Sequence, residues 1–272
     1  PMEVSWFAMP EWPGLALGSS EAAEPRGRLE KVEVALTPSG DDAEPVTATV
    51  QVWLPPGYDD GDRRYPVVFV HDRHARELGR WVETLDRVVG RTVQPLIVAF
   101  VEPPRMPGYI PAFGKELAPA IDARFRTSRD RAERANVGMG FWAQDAAIAT
   151  FENPETFGRV GIQSYYAVDE MVTALLAAMG DAEASTVPLD VYLEWGRWDL
   201  WSPHEEFSFR ESSRELWDLL AERGWKPLGG EVWDSSDFAS WHSRTGVLLE
   251  SLFPLEGEGP SSHLVGWSTG SP

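Results

Sequence analysis

The chain holds 272 residues, 43% of them hydrophobic, and carries a formal net charge of −19. That length and apolar content suffice for one large domain with its own core. The carboxylate excess disfavours nucleic acid and anionic membrane surfaces, which are bound through clustered Lys and Arg, and the absence of cysteine excludes disulfides, thiol catalysis and cysteine-ligated zinc.

Residues 1–28 are rich in Pro, Gly, Glu and Ala and read as an N-terminal arm, with Trp6 and Trp12 expected to dock on the body. Apolar and charged residues alternate over 29–36 and again over 46–54, the period of half-buried strands, which predicts an antiparallel hairpin. The continuous apolar run 65–70 suits a strand covered on both faces of a parallel sheet. A helix is then expected over 77–89, a strand over 94–101, a helix over 114–125 and a strand over 135–139. The same reading places a helix at 141–151, a strand at 160–163, a helix at 169–179 and a strand at 189–195. A helix over 211–223, stopped by Gly224, precedes a short strand at 231–233 and a last helix at 241–253. Residues 255–272 are rich in Gly, Ser and Pro and read as a loose tail. Strands alternating with helices predict an α/β protein: a mainly parallel sheet with helices on both faces and an N-terminal antiparallel hairpin. The expected organisation is an arm (1–28), one domain (29–254) and a tail (255–272).

Five stretches carry a family resemblance, in order along residues 46–254. They are Val52-Trp53-Leu54-Pro55-Pro56-Gly57-Tyr58 with Tyr65 to Asp72; Glu116 to Arg126; Asn153 to Ser164; Tyr192 to Asp199; and Asp237-Phe238-Ala239-Ser240-Trp241. Together they resemble the putative-esterase family of α/β hydrolases, which includes enterochelin esterases, feruloyl esterases and mycolyltransferases. The resemblance implies the α/β-hydrolase fold and a Ser, acid, His triad in that chain order.

Such a triad needs a serine on a tight strand-to-helix turn, a histidine to take its proton and a carboxylate to orient that histidine. The turn maps to Gly138-Met139-Gly140-Phe141-Trp142-Ala143. Gly140 stands where the serine belongs, and Trp142 is expected to fill the space above it. The acid maps to Asp199 and the histidine to Ser236, directly before Asp237. Only the acid of the triad is kept, so a non-catalytic binding or assembly protein is expected. The alternative is a carboxylic-ester hydrolase with residual activity, using His71 or Asp199 to activate water.

His71 and Asp72 map to the oxyanion-hole turn and, with Trp142, Tyr165, Trp198 and Trp201, form the expected binding set. The chain has 13 tryptophans, and several fall near predicted site loops. Aromatic side chains there could stack on sugar or aryl groups, although core packing is the commoner use of tryptophan. His204 beside two carboxylates lacks a second histidine at metal-ligand spacing, so no metal site is expected. No dinucleotide, P-loop or HExxH motif is present, and no cofactor is expected.

The first 20 residues lack a signal-peptide pattern and no apolar run reaches 18 residues, so a cytoplasmic location without membrane attachment is expected. Expected partners are a small-molecule ligand or a protein, including a second copy of the chain. Three lysines against 21 arginines, with 43 acidic residues, suit a salt-rich cytoplasm.

Overall fold

The structure, a computed structural model, describes residues 26–40, 44–72, 74–104, 106–204 and 207–255. The expected arm and tail lie almost wholly outside the described residues.

An eight-stranded sheet runs through the molecule in the order β1-β2-β4-β3-β5-β6-β7-β10. β1 (Arg28–Leu36) and β2 (Val46–Leu54) form the expected antiparallel hairpin, register Arg28 opposite Leu54. β2 also pairs antiparallel with β4 (Ile97–Val101). From β4 onward all neighbours are parallel: β3 (Val67–Val70), β5 (Arg134–Met139), β6 (Arg159–Gln163), β7 (Asp190–Gly196) and β10 (Leu228–Val232). β3 and β4 are buried at every position, which is why their sequences are unbroken apolar runs.

Helices cover both faces. α1 (Trp81–Val88) and α7 (Phe238–Leu252) pack together on one side, against Val68, Val70, Val98 and Val137. α2 (Tyr109–Ala112), α3 (Ala118–Arg124), α4 (Ala143–Glu152), α5 (Asp169–Met179) and α6 (Phe209–Glu222) cover the other. No described helix is long and apolar enough to cross a membrane.

Several elements differ from expectation. α1 starts at Trp81 rather than residue 77, because Arg80 takes a left-handed φ of 46° that no α-helix accommodates. The helical stretch expected at 114–125 begins five residues earlier, at Tyr109. Pro111 sits in its first turn, where a missing N–H costs nothing. A π turn over Phe113–Leu117 follows, just before Pro119, whose ring would clash with the carbonyl of a regular helix. The pair β8 (Trp201–Ser202) and β9 (Phe207–Ser208) was not expected, since two residues cannot show a period.

Candidate functional site

At the carboxyl end of β5 the chain turns through one 3₁₀ turn, Gly140–Trp142, into α4. Two glycines make this turn possible. A Cβ on Gly138 would lie 2.2 Å from the Trp142 carbonyl oxygen, so only glycine lets the helix start so close to the strand. Gly140 has φ +55°, in the left-handed region that favours glycine. The space above Gly140 is filled, but not by the expected Trp142. An ideal Cβ there would meet Trp241 Cη2 at 3.0 Å and Phe209 at 3.6 Å. Trp241 is fixed in this pose: its Nε1 donates to Ser164 Oγ at 2.9 Å, and Phe238 packs edge-on at 5.4 Å.

The segments carrying Asp199 and Ser236 meet beside this tryptophan. The Leu200 backbone N–H donates to Ser236 Oγ at 2.7 Å, tying the acid loop to the segment before α7. Asp199 is 7% exposed, and neither carboxylate oxygen has a hydrogen-bond partner among the described residues. Burial pushes its carboxyl up to about 6; Ser164 and the Gly196 backbone lie near enough to temper the shift without closing a full hydrogen bond. Ser164 itself is fully buried at φ +55°. Beneath, Glu194 on β7 accepts from Arg244 Nε (2.8 Å), Gln163 (2.6 Å) and the Tyr192 hydroxyl (2.5 Å). Arg244 also pairs with Asp234. This buried network holds the start of α7 against β7 and thereby seats Trp241 over Gly140.

A family model described as "Putative esterase" matches residues 45–252. The chain belongs to this esterase family. The search of curated proteins returns no match. Among solved structures, a ferulic acid esterase is similar at 15% identity and TM-score 0.69, covering 84% of this chain and 98% of its own. The enterobactin esterase of Shigella flexneri is similar at 18% identity and TM-score 0.60, over 85% of this chain and 59% of its own. A fluorophosphonate-binding serine hydrolase from Staphylococcus aureus aligns at 10% identity and TM-score 0.59, over 84% of this chain and 98% of its own. At these identities the likeness speaks for the α/β-hydrolase fold alone.

The other expected site residues of this esterase-family chain scatter. His71 is fully buried, with Nδ1 3.0 Å from the Tyr109 hydroxyl and Nε2 3.0 Å from Asn136 Oδ1. Asn136 in turn donates to Thr150 on α4. An amide oxygen only accepts, so Nε2 carries the proton and Nδ1 accepts from the phenol. Burial pushes the ring down to about 4, which keeps it neutral. His71 is thus a strut joining β3, β5, α2 and α4, closed to any ligand or water. Asp72 is also buried, and its Oδ1 accepts from the His74 N–H. Tyr165 is buried with its hydroxyl donating to Gln144. Trp198 and Trp201 are exposed on the acid loop, where Trp198 packs on Trp233 at 5.5 Å.

Trp142 points away from Gly140 to a different place. It lines a cavity of about 420 Å³ between α4 and the segment after β4, with Pro103, Pro104, Met106, Tyr109 and Asp145 in its wall. Asp145 and Glu152 were not expected site residues. The sequence shows them only as two carboxylates seven residues apart, on one face of α4, a spacing that does not by itself mark a site. His204 is exposed, His242 lies buried near Arg80 and Arg87 on α1, and His263 lies outside the described residues. Among the described residues no group of His, Asp and Glu is arranged to hold a metal.

Proposed function

We propose that this chain is an esterase-fold protein that does not hydrolyse esters by the serine mechanism and works instead by binding a ligand or partner. The observation that carries this reading is Trp241 standing 3.0 Å from the point where a side chain on Gly140 would begin. A serine mechanism needs an oxygen at that turn and a base beside it. Gly140 supplies no oxygen, and the indole takes the volume in which an acyl group would lie. Ser236 cannot serve as a base near neutral pH, and its hydroxyl is already used by the Leu200 N–H. Asp199 keeps the acid's place with no histidine to orient. His71 offers no substitute, because both ring nitrogens are engaged in the core.

The test is labelling by a fluorophosphonate probe together with hydrolysis of short-chain aryl esters, with the Staphylococcus aureus neighbour as positive control. The expected result is no label and no burst. Labelling lost in Ser164→Ala would overturn the reading and move the nucleophile to the end of β6, where the described serine with positive φ sits beside Asp199. In the converse experiment, Gly140→Ser, Ser236→His and Trp241→Gly together should gain probe labelling. Gly140→Ser with Ser236→His alone should gain little, because triad members act as a unit and Trp241 still fills the site.

A further inference from the structure

The cavity beside α4 has a composition that selects one kind of occupant. Its wall includes prolines, Met106 and the rings of Tyr109 and Trp142, a largely apolar groove of about 420 Å³ that is open to solvent and within the range of small-molecule sites. The charged groups facing it are two carboxylates, Asp145 and Glu152, and no Lys, Arg or His is among the described residues that line it. Asp145 is half-buried in the first turn of α4 yet performs no capping, since that turn has no side-chain cap. Proximity to the helix N-terminus favours its charged form, but burial prevails and pushes the carboxyl up to about 6. Burial first, and the Asp145 charge second, hold the Tyr109 phenol well above its ordinary value, and both residues line the cavity. The Tyr109 hydroxyl is committed to His71, so it is not a polar group offered to the cavity.

We infer that this cavity binds an organic ammonium ion carried on a small apolar body. Charge complementarity favours a cation, because a neutral or anionic occupant would cover the Asp145 carboxylate without compensating its charge. Trp142, half-buried in the cavity wall, supplies an aromatic surface of the kind on which quaternary ammonium groups rest. A metal ion fits poorly: Asp145 and Glu152 are seven residues, about 10 Å, apart along the helix, too far to share one ion, and the remaining wall offers few oxygen ligands. The inference gives the proposed binding role a ligand class, but it stands apart from Gly140, so ester hydrolysis and ammonium binding can each succeed or fail independently.

The experiment uses the full chain and phenyltrimethylammonium, with its neutral isostere tert-butylbenzene as the paired probe, read by calorimetry and by the shift in Tm. Phenyltrimethylammonium should bind saturably at one site and raise the Tm, and the neutral isostere should bind at least tenfold more weakly. Asp145→Asn should weaken ammonium binding at least tenfold while leaving the fold intact, since it removes a partly buried charge. Trp142→Ala should weaken it severalfold, and Glu152→Gln, at the exposed rim, less than threefold. Equal binding of the two probes, or undiminished affinity in Asp145→Asn, would overturn the inference. Arg105 adjoins the cavity in sequence and lies outside the described residues, so Arg105→Ala forms a second background. Binding seen only in that background would also overturn the inference, because the cation the cavity takes would then be the chain's own. No saturable binding in either background would do the same.

Discussion

The two flanks of the turn between β5 and α4 have opposite fates. On the α7 side, where an esterase of this fold would hold its triad, Trp241 and Phe209 close over Gly140, and the buried Asp199 carboxylate has no full hydrogen bond among the described residues. On the other side, two residues further along, Trp142 and Asp145 open onto a cavity of about 420 Å³. Both flanks contain a tryptophan and a carboxyl pushed up to about 6 by burial. What separates them is packing. In the closed flank the indole is a core side chain with its N–H satisfied by Ser164; in the open flank it is a wall. Position in a fold therefore assigns a residue to a site only when the neighbouring volume has been left free.

The sharpest way to break this comparison is to truncate each tryptophan. Trp241 is 7% exposed and packs on Phe238 and over Gly140, so Trp241→Ala should cost about 3–5 kcal/mol, as for other buried aromatic truncations. Trp142 is half-buried beside space already empty, and Trp142→Ala should cost roughly 1 kcal/mol or less. Urea unfolding of both variants decides it. Equal losses would mean that the closed flank is no better packed than the open one.

The carboxyls give the next effect. Burial disfavours the charge of Asp199 and pushes its carboxyl from the ordinary 3.8 up to about 6. A raised carboxyl in the folded state contributes stability that is fully present below pH 3.8 and lost as pH rises through about 6. Asn mimics the neutral form, so Asp199→Asn should stabilise by roughly 2–3 kcal/mol at pH 8, with the gain disappearing between pH 6 and 4. Asp145→Asn should show the same sign over the same window but a smaller gain, because water reaches that carboxyl. Thermal melts at pH 4 and pH 8 test both. A gain for Asp199→Asn that did not depend on pH would place its cause elsewhere.

The fold was readable because its signals are local and periodic. Unbroken apolar runs marked β3 and β4, and strict alternation marked the hairpin. The positions Gly140, Asp199 and Ser236 follow from the family resemblance alone; in the structure Trp241 stands over Gly140 and the Leu200 N–H donates to Ser236. What filled the space was not readable. Trp142 is near Gly140 in sequence and Trp241 is 101 residues away, yet the helix start turns the first outward and α7 lays the second across the turn. His71 was misjudged for a related reason. Its partners Tyr109, Asn136 and, through Asn136, Thr150 come from three separate elements, and only their convergence makes it a core strut. The cavity went unseen because it is a property of two segments that fail to meet, and no residue pattern records a gap.

The smallest effect tests the contact that defines the closed flank. Gly140 and Gly180 both have positive φ, +55° and +50°, so an alanine at either is strained, by about 1–3 kcal/mol for a sparsely populated backbone region. They differ in surroundings. A Cβ on Gly180 meets nothing within 4 Å, whereas one on Gly140 meets Trp241 at 3.0 Å. Gly180→Ala therefore reports backbone strain without crowding, and in Gly140→Ala the crowded indole should add roughly 0.5–1 kcal/mol to the strain. Combining Gly140→Ala with Trp241→Ala removes the crowding and leaves the strain, so the two changes should couple favourably by that same excess, as contacting residues do. A double-mutant cycle in urea measures it, with Gly180→Ala and Trp241→Ala as the distant pair expected to add. If Gly140→Ala also added simply to Trp241→Ala, the indole would not be standing over the turn, and the basis for reading this flank as closed would be gone.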